Sequence, residues 1–129
     1  MASAGIPERV TRLIAEHIHS IEQLEVLLLA RRGGQREWTA EDVARELTTV
    51  PDSAATRLED LAARGFLVVD AGPEPRYRYD PRDGERDRAV GELAEAYARR
   101  RVTVTSLIFS KPSENIRTFA DAFRIRKEE

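Results

Sequence analysis

Residues 39–79 read TAEDVARELTTVPDSAATRLEDLAARGFLVVDAGPEPRYRY, and the changes of pattern inside that stretch decide the fold. Thr39 is a good N-cap, Asp42 stands at N3 as an acidic variant of the capping box, and Trp38 is placed to staple onto Val43. Val43, Ala44 and Leu47 follow at helical spacing, which predicts a short helix over about 40–47. Thr48-Thr49-Val50 interrupts the pattern, and Pro51 opens the next helix at its first position. Ala54, Leu58 and Leu61 share one face of that helix, which Arg64 and Gly65 bring to an end. The period then drops to that of a strand. Phe66-Leu67-Val68-Val69 is strand-like, residues 71–75 form a Gly/Pro turn, and Arg76-Tyr77-Arg78-Tyr79 alternates strictly. Together they predict a β-hairpin with a basic face and an aromatic face.

Working outward, residues 1–6 carry no regular pattern, and Pro7 with Val10, Leu13, Ile14 and Ile18 predicts a short helix over about 7–18. Ser20 and Gln23 form an S-x-x-Q capping box. The helix they start carries Ile21, Leu24, Leu27 and Leu28 on one face and ends at Gly33-Gly34. Beyond Pro81 and Gly84, one long helix is expected over about 85–110, with Val90, Leu93, Ala94, Tyr97, Val104, Leu107 and Ile108 on its apolar side. Gly91 costs that helix about 1 kcal/mol, and Arg100 interrupts its heptad frame at a d position. Pro112 stops it, and Ser113 is suited to cap a last helix with Ile116, Phe119 and Phe123 on one stripe. The expected division is an N-terminal arm and short helix (1–19), a central unit (20–80) and a C-terminal helical extension (85–129).

Composition bounds the function. At 129 residues, with 41% hydrophobic and 34% charged, the chain has the makeup of an ordinary globular domain. With no cysteine there are neither disulfides nor thiolate metal sites. The longest apolar run, Val26–Ala30, is too short to span a bilayer, and the first residues lack a secretory pattern, so a cytoplasmic protein without membrane contact is expected. His17 and His19 point to different sides of a helix, which argues for packing and against a metal. No Ser/His/Asp, Cys/His, paired-carboxylate or phosphate-loop arrangement stands out, and Gly33-Gly34 lacks the rest of a nucleotide-binding motif. Neither catalytic residues nor a cofactor are expected, and the chain reads as a non-enzyme.

Helix, tight turn, Pro-opened helix and hairpin follow one another as in a winged helix-turn-helix. Residues 39–79 resemble bacterial winged-helix transcription regulators of the MarR and related kinds. The resemblance is carried by T-x-x-D-V-A-x-x-L, the Pro-opened helix, L-x-x-L-x-x-x-G-F-L and the basic wing strand. It implies a mostly α fold with a small antiparallel hairpin (α+β), flanked by N- and C-terminal helices. It also implies a sequence-specific DNA-binding regulator, with helix 51–64 reading the major groove and the wing at 66–79 contacting the backbone. Thr48 stands where the family commonly has glycine, and Val50 where a capping serine usually precedes the proline; the missing cap costs about 1 kcal/mol.

Placed at 100° steps, the Pro51 helix turns Asp52, Thr56, Glu59 and Asp60 outward, while Ser53, Arg57 and Arg64 line one flank. Arg57 is the candidate for base or phosphate contact, with Ser53 and Thr56 as hydrogen-bonding helpers. Arg76 and Arg78 share a face of their strand, suited to phosphates or, in the plainer reading, to a solvated edge that discourages aggregation. Arg99-Arg100-Arg101 with Lys111 reads either as an extended footprint or as a charged face balanced by Glu92 and Glu95. The apolar C-terminal helices need cover, from a second copy in a homodimer or by folding back in a monomer. Against the DNA reading stands an interaction adaptor that docks through the acidic helix face or the C-terminal helices. A formal net charge of −2 makes local clustering of arginines the deciding quantity.

Overall fold

In the computed structural model, which describes residues 5–110, the chain runs α1 (Glu8–His17), α2 (Ile21–Gly33), α3 (Ala40–Leu47), α4 (Pro51–Ala63), β1 (Leu67–Asp70), β2 (Arg76–Tyr79), α5 (Gly84–Arg99) and α6 (Arg101–Ser110). The central helix is α2. It buries Leu24, Val26, Leu27, Leu28, Leu29 and Ala30, most of its circumference rather than the single expected face, because α3, α4 and β2 all pack on it. Helix α4 presents Ala54, Leu58 and Leu61 to the core, and α1 packs against α5 and α6. One apolar cluster joins Ile6 at one end of the described chain to Ile108 at the other.

The expected local signals act where they stand. Thr39 and Asp42 form a reciprocal capping box, each backbone-to-side-chain bond 3.1 Å long. Trp38 and Val43 are both buried, but the Trp38 backbone has a second role. Its N–H donates to the Tyr77 carbonyl (2.7 Å) and its carbonyl accepts from the Tyr77 N–H (2.8 Å), which ties the wing to the start of α3. In the hairpin, Val68 faces Arg78 and Asp70 faces Arg76, so the arginine face also carries one carboxylate. Gly65, at φ +89°, closes α4 in a backbone conformation that favours glycine, and the Arg82 guanidinium lies close beside it.

Two features differ from expectation. At Ser20 only half of the capping box forms: the Gln23 N–H donates to Ser20 Oγ (3.0 Å), while Gln23 Oε1 accepts from the His19 N–H (2.6 Å). The buried Gln23 amide is aimed elsewhere because Nε2 donates to the His17 carbonyl (2.7 Å) and to Asp60 on α4 (2.8 Å). The long helix expected over 85–110 is instead two helices broken at Arg100 (φ −134°, ψ 57°). The apolar face of α5 resumes in α6 at Val104 and Ile108, and an unbroken helix would put Arg100 at the intervening inward position. Burying that guanidinium would be costly, so the chain bends, Arg100 stays exposed and its side chain lies against Gly5. Gly91 in turn lets the Arg31 guanidinium come within 2.9 Å of where a Cβ would stand. Residues 1–4, Lys111, the Pro112 stop and the expected helix with Ser113, Ile116, Phe119 and Phe123 lie outside the described residues.

Candidate nucleic-acid interface

The turn between α3 and α4 sets the outer surface of α4. Thr48 adopts the left-handed conformation (φ 56°), the only non-glycine residue with positive φ among those described. A β-branched residue is strained there. Val50 then supplies no side-chain cap to α4. Asp52, Thr56 and Glu59 are exposed on α4, as the helical projection expects. Asp60 is not turned outward: it is half-buried, accepting from Gln23 Nε2 (2.8 Å) and Arg64 Nε (3.0 Å). An inward neighbour able to donate outweighs the one-turn projection.

Ser53 and Arg57 do line a common flank, and that flank meets Glu22 in the first turn of α2. Arg57 Nε donates to Glu22 Oε1 (2.9 Å), and the Ser53 hydroxyl donates to the same oxygen. Thr49 Oγ1, in the turn, donates to Glu22 Oε2 (2.7 Å). The Ser53 hydrogen bond, helped by those from Thr49 and Arg57, holds the Glu22 carboxyl below its ordinary value of 4.5 in spite of partial burial, so it is ionised at neutral pH. Of the sequence candidates on α4, then, Thr56 is exposed while Ser53 and Arg57 share a carboxylate. Sequence reasoning missed Glu22. Its partners lie 27, 31 and 35 residues away, and the only local signal, an acid in a first helical turn, is explained by the helix dipole.

The wing holds its arginines differently. Arg76 and Arg78 approach Glu74 and Asp80 only to 3.8 and 3.7 Å, and their side chains are 49% and 32% exposed. Such pairs contribute about 0–1 kcal/mol. The wing is anchored at its base by Tyr79, whose hydroxyl donates to Asp87 on α5 (2.6 Å). Burial first, and then the Asp87 carboxylate, push the Tyr79 pKa up. Between the wing, α3 and α4 lies a small hollow of about 130 Å³ whose lining includes Glu41, Glu59 and Glu74.

At the opposite end of α4, His17 sits edge-on to Phe66, with ring centroids 5.3 Å apart. Arg64 Nη1 lies 3.3 Å from His17 Nδ1 and Arg86 Nη2 lies 3.3 Å from Nε2. Burial, then the Arg86 and Arg64 charges, lower the His17 pKa. The described residues include no group of three or more His, Asp or Glu placed to hold a metal ion. The Arg99–Arg101 run is dispersed by the helix break. Arg99 pairs with Glu95 (3.8 Å), Arg100 turns to Gly5, and Arg101 lies over the Tyr97 ring (4.4 Å). Helix α6 exposes Val102 and Phe109, at 79% and 73%. No helix among the described residues is long and apolar enough to cross a membrane.

No family model and no curated protein matches the sequence. Solved structures do match the architecture. The S. aureus MepR F27L mutant, bound to oligodeoxyribonucleotide, aligns with a TM-score of 0.54 at 13% identity, over 94% of this chain and 87% of its own. RV1404 from Mycobacterium tuberculosis aligns at 0.51 and 19% identity, over 95% and 84%. The fold is a MarR-like winged helix. In those terms α3 and α4 are the helix-turn-helix, the β1–β2 hairpin is the wing, and α1, α5 and α6 are the flanking helices.

Proposed function

We propose that the chain is a cytoplasmic DNA-binding transcriptional regulator and not an enzyme. The N-terminal half of α4 enters the major groove, and the wing lies on the phosphate backbone. The observation that carries this reading is the pair of loosely held wing arginines, Arg76 exposed and Arg78 half-buried, on a hairpin that packs against α4. Support comes from the shared fold of a protein solved on an oligodeoxyribonucleotide. Thr56 lies in the part of α4 offered to base edges, Arg76 and Arg78 contact phosphates, and Ser53 and Arg57 lie at the margin of the footprint. The uncapped first turn of α4 adds backbone N–H groups suited to a phosphate.

The protein acts as a homodimer through its C-terminal helices, a reading supported by the exposure of Val102 and Phe109 on α6. Selection of genomic fragments by the purified protein, followed by gel shift, tests the assignment. A restricted set of fragments is expected. Failure to retard any fragment in dilute buffer contradicts DNA binding and leaves the interaction adaptor as the better account of the fold. Light scattering should give twice the chain mass for the parent and one chain mass for Phe109→Glu; a monomeric parent contradicts the dimer.

A further inference from the structure

We infer that Glu22 is a positioning residue that holds Arg57 back from nucleic acid, so that a duplex of arbitrary sequence meets a neutral pair on α4 instead of a cation. The inference rests on the DNA-binding reading and deepens it. Three donors converge on one carboxylate from outside its own helix: Thr49 from the turn, and Ser53 and Arg57 from successive turns of α4. The Glu22 and Arg57 side chains remain 26% and 35% exposed, so the pair sits at the surface, where an approaching phosphate can compete for the guanidinium.

The geometry makes the contact selective. Arg57 reaches Glu22 through Nε at 2.9 Å, and the two hydroxyls fix the carboxylate in place, unlike the wing pairs near 3.8 Å. A phosphate that approaches the Arg57 Nη groups, which Glu22 leaves open, must therefore meet the negative charge of the held carboxylate as well. Non-specific duplexes offer only phosphates, which the wing already engages. A specific site can add base contacts that offset the loss of the Glu22 pair. Glu22 thus works against unintended sequences rather than for the intended one.

The test measures binding of a duplex of random sequence across a range of salt concentrations for the parent, E22Q, R57A, E22Q/R57A and E46Q. Glu46 is an exposed residue of α3 and controls for the change in net charge. E22Q is expected to bind about tenfold more tightly than the parent, with a salt slope steeper by about one phosphate contact. That gain should vanish in the Arg57→Ala background and exceed the gain in E46Q. Equal gains in E22Q and E46Q, or a gain that persists without Arg57, overturn the inference while leaving DNA binding intact. A duplex bound by no variant overturns both. A second reading needs no substitution: in the unaltered protein the Arg57 Nε–H resonance should be protected from solvent exchange at neutral pH. Exchange as fast as in a free arginine contradicts the contact.

Discussion

The winged helix carries one arginine on the α4 flank and two on the wing, and they are held in opposite ways. Arg57 is bonded at 2.9 Å to a carboxylate that two hydroxyls also grip, whereas Arg76 and Arg78 stand on the wing at 3.8 and 3.7 Å from carboxylates that are themselves more than half exposed. The difference follows from where the partners come from. Glu22 is delivered by the central helix, whose position is fixed by burial on most sides. Glu74 and Asp80 flank β2 and are close in sequence to the arginines they meet. Charge on α4 is consequently committed and charge on the wing is available. In a chain of net charge −2, the proposed attraction to a polyanion depends on cations that are not already committed, such as those of the wing.

The largest effect is expected from removing that available charge. Arg76→Ala with Arg78→Ala should weaken duplex binding about 10- to 100-fold in dilute salt and flatten the salt dependence by about two phosphate contacts per protomer. Binding unchanged in this pair would erase the contrast. Arg57→Ala should cost duplex affinity much less, about threefold or under, since the cation it removes is already paired. A loss from Arg57→Ala as large as that of the wing pair would mean the two regions are equally available.

Smaller effects concern the turn that presents α4. Thr48→Gly relieves the left-handed strain, and Val50→Ser supplies the missing cap; each should raise stability by about 1 kcal/mol in denaturant unfolding. A destabilising Thr48→Gly would contradict the strain, and an inert Val50→Ser would mean that the α4 N-terminus is already satisfied. The smallest effect belongs to His17. Folding holds it neutral below its ordinary value of 6.5 through burial and the Arg86 and Arg64 charges, so the unfolded chain binds the proton first as pH falls. Its contribution is complete above that value and is lost as pH falls through the lowered one. Melting temperatures at about pH 7.5 and 5.5 should therefore converge in His17→Gln relative to the parent. An identical pH dependence in both would mean that His17 is not perturbed.

What the sequence made legible is what adjacent residues decide. The Thr39/Asp42 box, Pro51, Gly65 and the alternation of residues 76–79 act within one turn of chain, and each stands where the pattern puts it. The helix break was half legible. Arg100 at an inward position was visible, but the bend that keeps it exposed depends on how α1, α5 and α6 pack. Outside reach were the contacts made across the fold. Gln23 binds Asp60 from 37 residues away and Glu22 binds Arg57 from 35, and no periodicity encodes such pairs. The same distance explains why Ser53 and Arg57, read from the helical projection alone, carried no sign of the carboxylate opposite them.

The central claim is that this winged helix binds duplex DNA through charge the wing holds ready. It is tested most directly by the salt dependence of duplex binding by the unaltered protein. Affinity should fall linearly on logarithmic axes with a slope at least as steep as about −4, the signature of counterions displaced by the two wing arginines of each protomer. A flat response, or no complex in dilute salt, would contradict it.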